Sequence, residues 1–199
     1  MKEKAREVYI MNWQKLPFRF LIFMLMAPAF AASSAPLARQ SPEYSINEPS
    51  GKTTLLSSFK GKVVVLEFLF VKSQHCLRVA ETLNKLHGEL GPRGFQAVGV
   101  AFDPPNSPNS GAQLLAYVAG YLKLSYPVGY SAKADVDRYL GRTQNELLNI
   151  PQVVVIDRTG MIRAQSGGRG GNPGLEDENS LRRLIENLLK ENAGGSTTK

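Results

Sequence analysis

Two long apolar runs separated by one amphipathic segment dominate the hydropathy pattern of the chain. The first run, Val63 to Phe70, is rich in β-branched residues and suits a strand that is buried on both faces. The second run is Phe95 to Phe102. Between them, apolar residues recur at spacings of four, three and four, as on one helix face: Val79, Leu83, Leu86 and Leu90. This order predicts a β–α–β unit, whose two strands run parallel with a right-handed crossover.

The remaining pattern predicts further strands and helices around this unit. Two apolar runs on either side of a Gly-containing turn predict an antiparallel hairpin over residues 152–164, so the sheet should be mixed. A proline inside the run 126–130 favours an edge strand, because proline cannot donate a hydrogen bond to a central ladder. Shorter patterns predict strands near 44–46 and 53–56, and helices over 114–122, 136–141 and 178–192. We therefore expect an α/β fold with a central mixed sheet flanked by helices.

The N-terminal 31 residues have the pattern of an export signal. Basic residues precede the apolar stretch 20–27, and Ala29-Phe30-Ala31 offers a small-x-small cleavage site. The apolar stretch is shorter than the roughly 20 residues that a membrane span needs. Residues 1–31 are therefore predicted to be a signal peptide for the periplasm or another extracytoplasmic space, with an uncleaved membrane anchor as the alternative. Both Met1 and Met11 are plausible starts of translation.

The composition of the whole chain is that of a globular protein, with 43% hydrophobic and 21% charged residues. The first 31 residues hold five Lys or Arg and two Glu, so their removal lowers the formal net charge from +7 to +4. No run of Lys or Arg remains, so no nucleic-acid partner is expected. We assign residues 32–43 as a linker, 44–192 as one domain behind this N-terminal extension, and 193–199 as a disordered tail.

Cys76, the only cysteine in the chain, lies at the junction between the first predicted strand and its helix. A thiol in the first turn of a helix is placed where the helix dipole favours a thiolate. With one cysteine no intramolecular disulfide can form, so the thiol is buried, reactive or paired with another molecule. No metal or cofactor is predicted, because His87 is eleven residues beyond Cys76 and only His75 is near.

Several motifs, in order along the chain, resemble the exported thioredoxin-like thiol-disulfide oxidoreductases, the TlpA-like group. The matching segments are Gly61 to Val65, Glu67-Phe68, the cysteine at a helix start, Tyr126 to Val128, Ile150-Pro151 and Val155 to Gly160. The resemblance covers about residues 44–191. It implies a thioredoxin-like fold, and it places the chain near the redoxins (the alkyl hydroperoxide reductase/thiol-specific antioxidant group).

The main departure from this group is the redox motif, which reads Ser73-Gln74-His75-Cys76 where the family usually has Cys-x-x-Cys. The resemblance implies that Cys76 is the second cysteine, which resolves a mixed disulfide, and that Ser73 replaces the attacking one. A hydroxyl forms no disulfide, so dithiol turnover within one chain is predicted to be absent. Ser73 is also a preferred residue for capping the helix N-terminus.

The resemblance implies roles for the neighbours of this motif. Glu67 matches a buried acid that accepts a proton from the second cysteine; the alternative is a glutamate that reaches solvent or pairs with Lys72 or an arginine. Pro151 matches a cis-proline next to the redox motif, where the backbone at Ile150 pairs with a substrate peptide. The other expected substrate contacts are Gln74 and His75.

Three functions are compatible with the sequence. The first is monothiol exchange with, or thiol-dependent recognition of, protein or small-molecule thiols and disulfides. The second is a one-cysteine peroxidase, since peroxiredoxins share the fold and use Thr/Ser-x-x-Cys; against it, Leu69 and Pro151 stand where those enzymes carry Pro and Arg. The third is a non-catalytic peptide-binding module. The sequence does not indicate an oligomeric state.

Overall fold

A computed structural model describes residues 39–103, 110–143, 146–167 and 174–191. The strands are β1 (Arg39–Gln40), β2 (Ser45–Asn47), β3 (Thr53–Leu55), β4 (Val63–Leu69), β5 (Phe95–Ala101), β6 (Val128–Tyr130), β7 (Gln152–Ile156) and β8 (Met161–Gln165). The helices are α1 (Gln74–Leu90), α2 (Ser110–Tyr121), α3 (Lys133–Leu140) and α4 (Glu178–Lys190). None of these four helices is long and apolar enough to cross a membrane.

One mixed sheet contains all eight strands, in the spatial order β1-β8-β7-β4-β5-β6-β2-β3. Strand β4 lies at its centre, parallel to β5 and antiparallel to β7. Every residue of these three strands is buried, as the uninterrupted apolar runs predicted. The predicted β–α–β unit, the hairpin of β7 and β8, and the central mixed sheet are confirmed.

Alternate residues of β4 contribute to two cores on opposite faces of the sheet. Val63 and Val65 face a core that is closed by α1 and α4. Val64, Leu66 and Phe68 face a second core, which includes residues of β2 and α3. Both cores depend on the period-2 alternation of a strand, so a helix must cover each face.

The expectation that residues 126–130 form an edge strand is wrong. Strand β6 lies inside the sheet, with β5 on one side and β2 on the other. Pro127 precedes the strand, and its carbonyl accepts a hydrogen bond from the backbone N–H of Gly99 at 3.0 Å. A Cβ at Gly129 would lie 2.8 Å from the backbone nitrogen of Asn47, so the glycine permits the close approach of β2.

The sheet also begins earlier than the predicted domain boundary. Strand β1 falls within residues 32–43, which we expected to be a linker, yet it pairs with β8. The Arg39 guanidinium donates to the Tyr139 carbonyl at 3.1 Å and to Gln165 Oε1 at 2.9 Å. These hydrogen bonds anchor the strand to the domain. The predicted signal peptide, the linker up to residue 38 and the tail 193–199 lie outside the described residues.

Candidate thiol site

The candidate site begins where β4 ends and α1 starts. Ser73 is the N-cap of α1, with extended backbone angles, and its Oγ accepts a hydrogen bond from the backbone N–H of Cys76 at 3.4 Å. The Ser73 carbonyl accepts from the N–H of Leu77 at 3.0 Å. Serine suits this position because its side chain satisfies a backbone donor that the helix leaves unpaired. The capping role predicted for Ser73 is therefore confirmed.

The thiol of Cys76 points into the protein and is 0% exposed. It packs in a small apolar cluster at the carboxyl ends of β4 and β5, formed with Leu69, Val71, Ala101 and Leu115. Leu115 comes from α2, so this helix covers the site from one side. A side chain in this position is packed like a small hydrophobic residue.

The environment of Cys76 opposes the thiolate that its helical position favours. Burial raises the pKa of the thiol above its ordinary value of 9.0, although hydrogen bonds with the Ser73 side chain and the Phe70 backbone lower it. When Glu67 is ionised, its charge raises the pKa of the thiol further. The expectation of a thiolate from the helix dipole alone is wrong, because desolvation outweighs the dipole in a buried first turn.

Glu67 is fully buried in the middle of β4, at 0% exposure. Neither carboxyl oxygen has a hydrogen-bond partner within the described part of the chain. Burial raises the pKa of this carboxyl well above its ordinary value of 4.5, so the protonated form is favoured. The alternative of a solvent-reaching or ion-paired Glu67 is therefore wrong for the described residues, and Lys72 is itself exposed.

The proline that leads into β7 lies on the same side of the molecule as the thiol. The Ile150–Pro151 peptide bond is cis, as the family resemblance implied. Pro151 is buried, while Ile150 is half-buried and packs against the cluster that contains Cys76. The structure thus brings this segment to the thiol site. Contact of Ile150 and Pro151 with a substrate peptide stays a prediction.

The two residues between Ser73 and Cys76 point to solvent. Gln74 and His75 are exposed, and His75 Nε2 lies 3.2 Å from Glu176 Oε2, at the entrance to α4. His75 therefore faces an acidic side chain on the surface, while the sulfur of Cys76 faces the core. Their exposure makes both residues available to a partner, and that role also stays a prediction.

Two polar groups near the site were not identified from the sequence. The Tyr126 hydroxyl donates to the Ala80 carbonyl of α1 at 3.2 Å, and burial and the Glu67 charge together raise the pKa of this tyrosine well above its ordinary value. Asp103, directly after β5, accepts from the Gly111 N–H and from the Tyr130 hydroxyl, each at 2.7 Å. Asp103 thereby fixes the start of α2. Asp103 could have been identified from the sequence, because it is an aspartate at the carboxyl end of a predicted buried strand.

Comparison with solved structures supports the thioredoxin-like fold. A thiol:disulfide interchange protein of the thioredoxin family from Chlorobium tepidum is 20% identical, with a TM-score of 0.62 over 76% of this chain and 97% of that chain. A candidate protein disulfide isomerase from Bacteroides thetaiotaomicron is 26% identical, with a TM-score of 0.60 over 77% and 89%. A candidate thioredoxin from Neisseria meningitidis is 25% identical, with a TM-score of 0.58 over 77% and 91%.

Sequence comparison gives the family. No curated protein matches the chain. The family model of the AhpC/TSA family matches residues 37–165, a range that includes β1 to β8 and the whole of the thiol site. Because this match spans more than half of the 199 residues, the protein belongs to the AhpC/TSA family of redoxins, within the thioredoxin-like superfamily.

Proposed function

We propose that this protein is an exported redoxin that recognises protein thiols or disulfides through a single-cysteine site, without dithiol turnover within one chain. The observation that carries the proposal is the arrangement at the start of α1. Ser73 is the N-cap of α1, where the family resemblance implies the attacking cysteine, while the one thiol, Cys76, is 0% exposed. Small-molecule thiols that reach the same site belong to the same proposal.

Dithiol exchange needs two sulfur atoms in succession. An accessible thiolate attacks a partner disulfide and forms a mixed disulfide, which a second thiolate then resolves. Here the Ser73 hydroxyl cannot form a sulfur–sulfur bond, and the Cys76 thiol is buried and protonated. Any exchange is therefore a single step, in which Cys76 forms one bond with a partner sulfur and releases the other partner sulfur as a thiolate. That step requires the first turn of α1 to open.

The remaining site residues have roles in this scheme. Ser73 holds the helix start closed over the thiol. When the first turn of α1 opens, the Glu67 carboxyl loses its own proton to water, and its carboxylate then takes the Cys76 proton as the thiol reacts. Ile150 and Pro151 present an apolar edge beside the thiol cluster to an extended partner segment. Gln74 and His75 are exposed at the same helix start and contact the partner from the other side of Cys76.

The proposal can be tested by a variant, Ser73→Cys, that should gain disulfide-reductase activity. In an insulin-reduction assay with dithiothreitol, the wild type should show no turnover above the uncatalysed rate, whereas Ser73→Cys should create a reducible pair with Cys76 and measurable turnover. Ser50→Cys adds a second thiol in the exposed turn between β2 and β3, so it controls for thiol number and should stay inactive. Dithiol kinetics in the wild type, or a Ser73→Cys variant whose new pair oxidises without reducing insulin, would contradict the proposal.

Peroxide distinguishes this function from the peroxidase alternative. The Ser-x-x-Cys spacing fits a one-cysteine peroxidase, whose thiolate is oxidised to sulfenic acid. A buried, protonated thiol reacts slowly with peroxide, so dimedone should trap little sulfenic acid at Cys76 within minutes of peroxide addition. Rapid and complete trapping at Cys76 would replace the proposed function with peroxide reduction.

We also propose that residues 1–31 are removed on export and that residues from about 32 onward form the mature protein. The apolar stretch 20–27 and the site Ala29-Phe30-Ala31 support this proposal. Mass spectrometry of the protein expressed in a bacterial host should find a mature N-terminus at residue 32 in the periplasmic fraction. A full-length protein in the membrane fraction would instead support the anchor alternative.

A further inference from the structure

A cavity of about 220 Å³ lies at the end of the sheet that is remote from Cys76. Its floor includes Val64 and Ile156, which pair with each other near the first residue of β4, whereas the thiol packs against Leu69 at the other end of that strand. The stretch of β4 from Val64 to Leu69 spans about 17 Å, so the cavity is separate from the thiol site. The proposed thiol function leaves this cavity without a role.

Three segments form the walls of the cavity and are joined by hydrogen bonds. They are residues 40–43, which follow β1, the 3₁₀ turn Leu56–Phe59, and the turn between β7 and β8. The Gly160 carbonyl accepts from the backbone N–H of Ser41 at 2.9 Å, and Glu43 Oε1 accepts from the backbone N–H of Ser57 at 3.1 Å. Because these bonds hold the walls together, the cavity is preformed, and a ligand that enters it does not first have to order its walls.

The floor of the cavity is apolar. Its side chains come from the 3₁₀ turn, β4 and β7, and they include Leu56, Phe59, Val64 and Ile156. Phe59 is half-buried, and the other three are buried in the core to which it packs. An apolar cavity of about 150 Å³ is large enough to bind benzene, whereas pockets for drug-sized ligands begin at about 300 Å³. The volume of this cavity therefore suits a small ligand with an aliphatic chain or a single ring.

Two lysines at the rim of the cavity provide positive charge. Lys60 and Lys62 line the cavity, and both are exposed to solvent. Among the described residues, neither ammonium group forms an ion pair with a carboxylate. The Lys62 ammonium donates to a neutral group, Gln96 Oε1, at 3.3 Å. Both positive charges are therefore available to a ligand that carries a negative charge.

The two carboxylates that line the cavity are already bound to other donors. Asp157 accepts from two backbone N–H groups in the turn between β7 and β8, and its Oδ2 accepts from Arg163 at 3.1 Å. Glu43 Oε1 accepts from the backbone N–H groups of Tyr44 and Ser57. Because these donors offset the negative charge of each carboxylate, the rim favours an anionic head group over a cationic one.

We propose that this cavity is a binding site for a small amphipathic carboxylate. Its aliphatic chain or ring lies on the apolar floor, and its carboxylate lies beside Lys60 and Lys62 at the rim. A medium-chain fatty acid has this combination of groups. A short carboxylate lacks the apolar part, and an aliphatic amine brings a like charge to the lysines. A ligand of this size binds weakly, with a Kd of about 1 mM or tighter.

Titration of the full chain with sodium octanoate, followed by the NMR chemical shifts of the backbone amides, tests the site directly. The largest shifts should fall on residues 57–62 and 157–160, which border the cavity. Octanol has the chain without the charge, and acetate has the charge without the chain, so each should bind at least about tenfold more weakly. Shifts confined to residues 73–76 at the thiol site, equal binding of octanol, or no shifts at about tenfold above the expected Kd would overturn the proposal.

Two double variants separate the rim lysines from the general charge of the protein. Lys60→Gln with Lys62→Gln removes both ammonium groups at the rim and should weaken octanoate binding at least about tenfold, while octanol binding stays unchanged. Lys72→Gln with Lys85→Gln removes two exposed lysines elsewhere on the domain and should leave octanoate binding unchanged. All four positions are exposed, so both variants should fold. Equal effects of the two double variants on octanoate binding would overturn the proposal. Neither measurement depends on the reactivity of the thiol.

Discussion

From the unpartnered carboxyl of Glu67 we predict how the free energy of unfolding changes with pH. Its side chain is fully buried in β4, and neither oxygen has a hydrogen-bond partner among the residues described. Burial raises the pKa of this group well above 4.5. Replacing it with glutamine keeps the shape of the side chain and removes the titration, so the Glu67→Gln variant isolates the cost of the buried acid.

The sign of the effect follows from proton linkage. An acid whose pKa is higher in the folded chain binds an additional proton when folded, at any pH between its two pKa values. The stability that this proton contributes is fully present below pH 4.5, the pKa of the group in the unfolded chain. As pH rises above this value, the free energy of unfolding falls by about 1.4 kcal/mol per pH unit until the folded pKa is reached. Between pH 4.5 and pH 7 the free energy of unfolding can fall by at most about 3 kcal/mol through this group.

Urea unfolding at a series of pH values measures this difference. Near pH 4.5 the Glu67→Gln variant and the wild type should have similar free energies of unfolding. As pH rises towards 7 the variant should become the more stable of the two, by at most about 3 kcal/mol at pH 7. Glu81→Gln, at an exposed position on α1, should shift neither curve. Parallel curves for wild type and Glu67→Gln between pH 4.5 and 7 would refute the assignment of a buried, protonated carboxyl.

Two further substitutions test the packing around the sheet by urea unfolding at neutral pH. Arg39→Ala removes the hydrogen bonds to the Tyr139 carbonyl and Gln165 that anchor β1, and should lower the free energy of unfolding by about 1–2 kcal/mol. Although burial raises the pKa of Asp157, hydrogen bonds from the Thr159 hydroxyl, the Met161 N–H and the Arg163 guanidinium hold it below its ordinary value of 3.8. Asp157→Asn should therefore lose about 1–2 kcal/mol at pH 7, and the loss should shrink as pH falls through the folded pKa. A loss that does not change with pH would contradict this role.

The central part of the fold could be predicted because its residues repeat simple patterns. The β-branched run of β4 and the spacing of Val79, Leu83, Leu86 and Leu90 on α1 each fit one kind of element. The position of β6 could not be predicted, since Pro127 lies one residue outside the strand and Gly129 is explained only by its contact with β2. Likewise β1 has only two residues, and its pairing depends on long-range hydrogen bonds of Arg39.

The sequence identified which residues form the site, but it only partly predicted their surroundings. From the position of Cys76 in the first turn of α1 we expected the helix dipole to favour a thiolate. A residue at a helix start can, however, face either the core or solvent. Its orientation depends on Leu69, Ala101 and Leu115, which three separate elements bring together.

The reactivity of the Cys76 thiol tests the central claim most directly. The rate of labelling by Ellman's reagent at pH 8 should be compared between the native protein and the chain unfolded in urea. A thiol that is 0% exposed and reacts only after local opening should be labelled at least about a hundredfold more slowly in the native protein. Native labelling within about fivefold of the unfolded rate would contradict a buried, protonated thiol, and with it the proposed single-cysteine function.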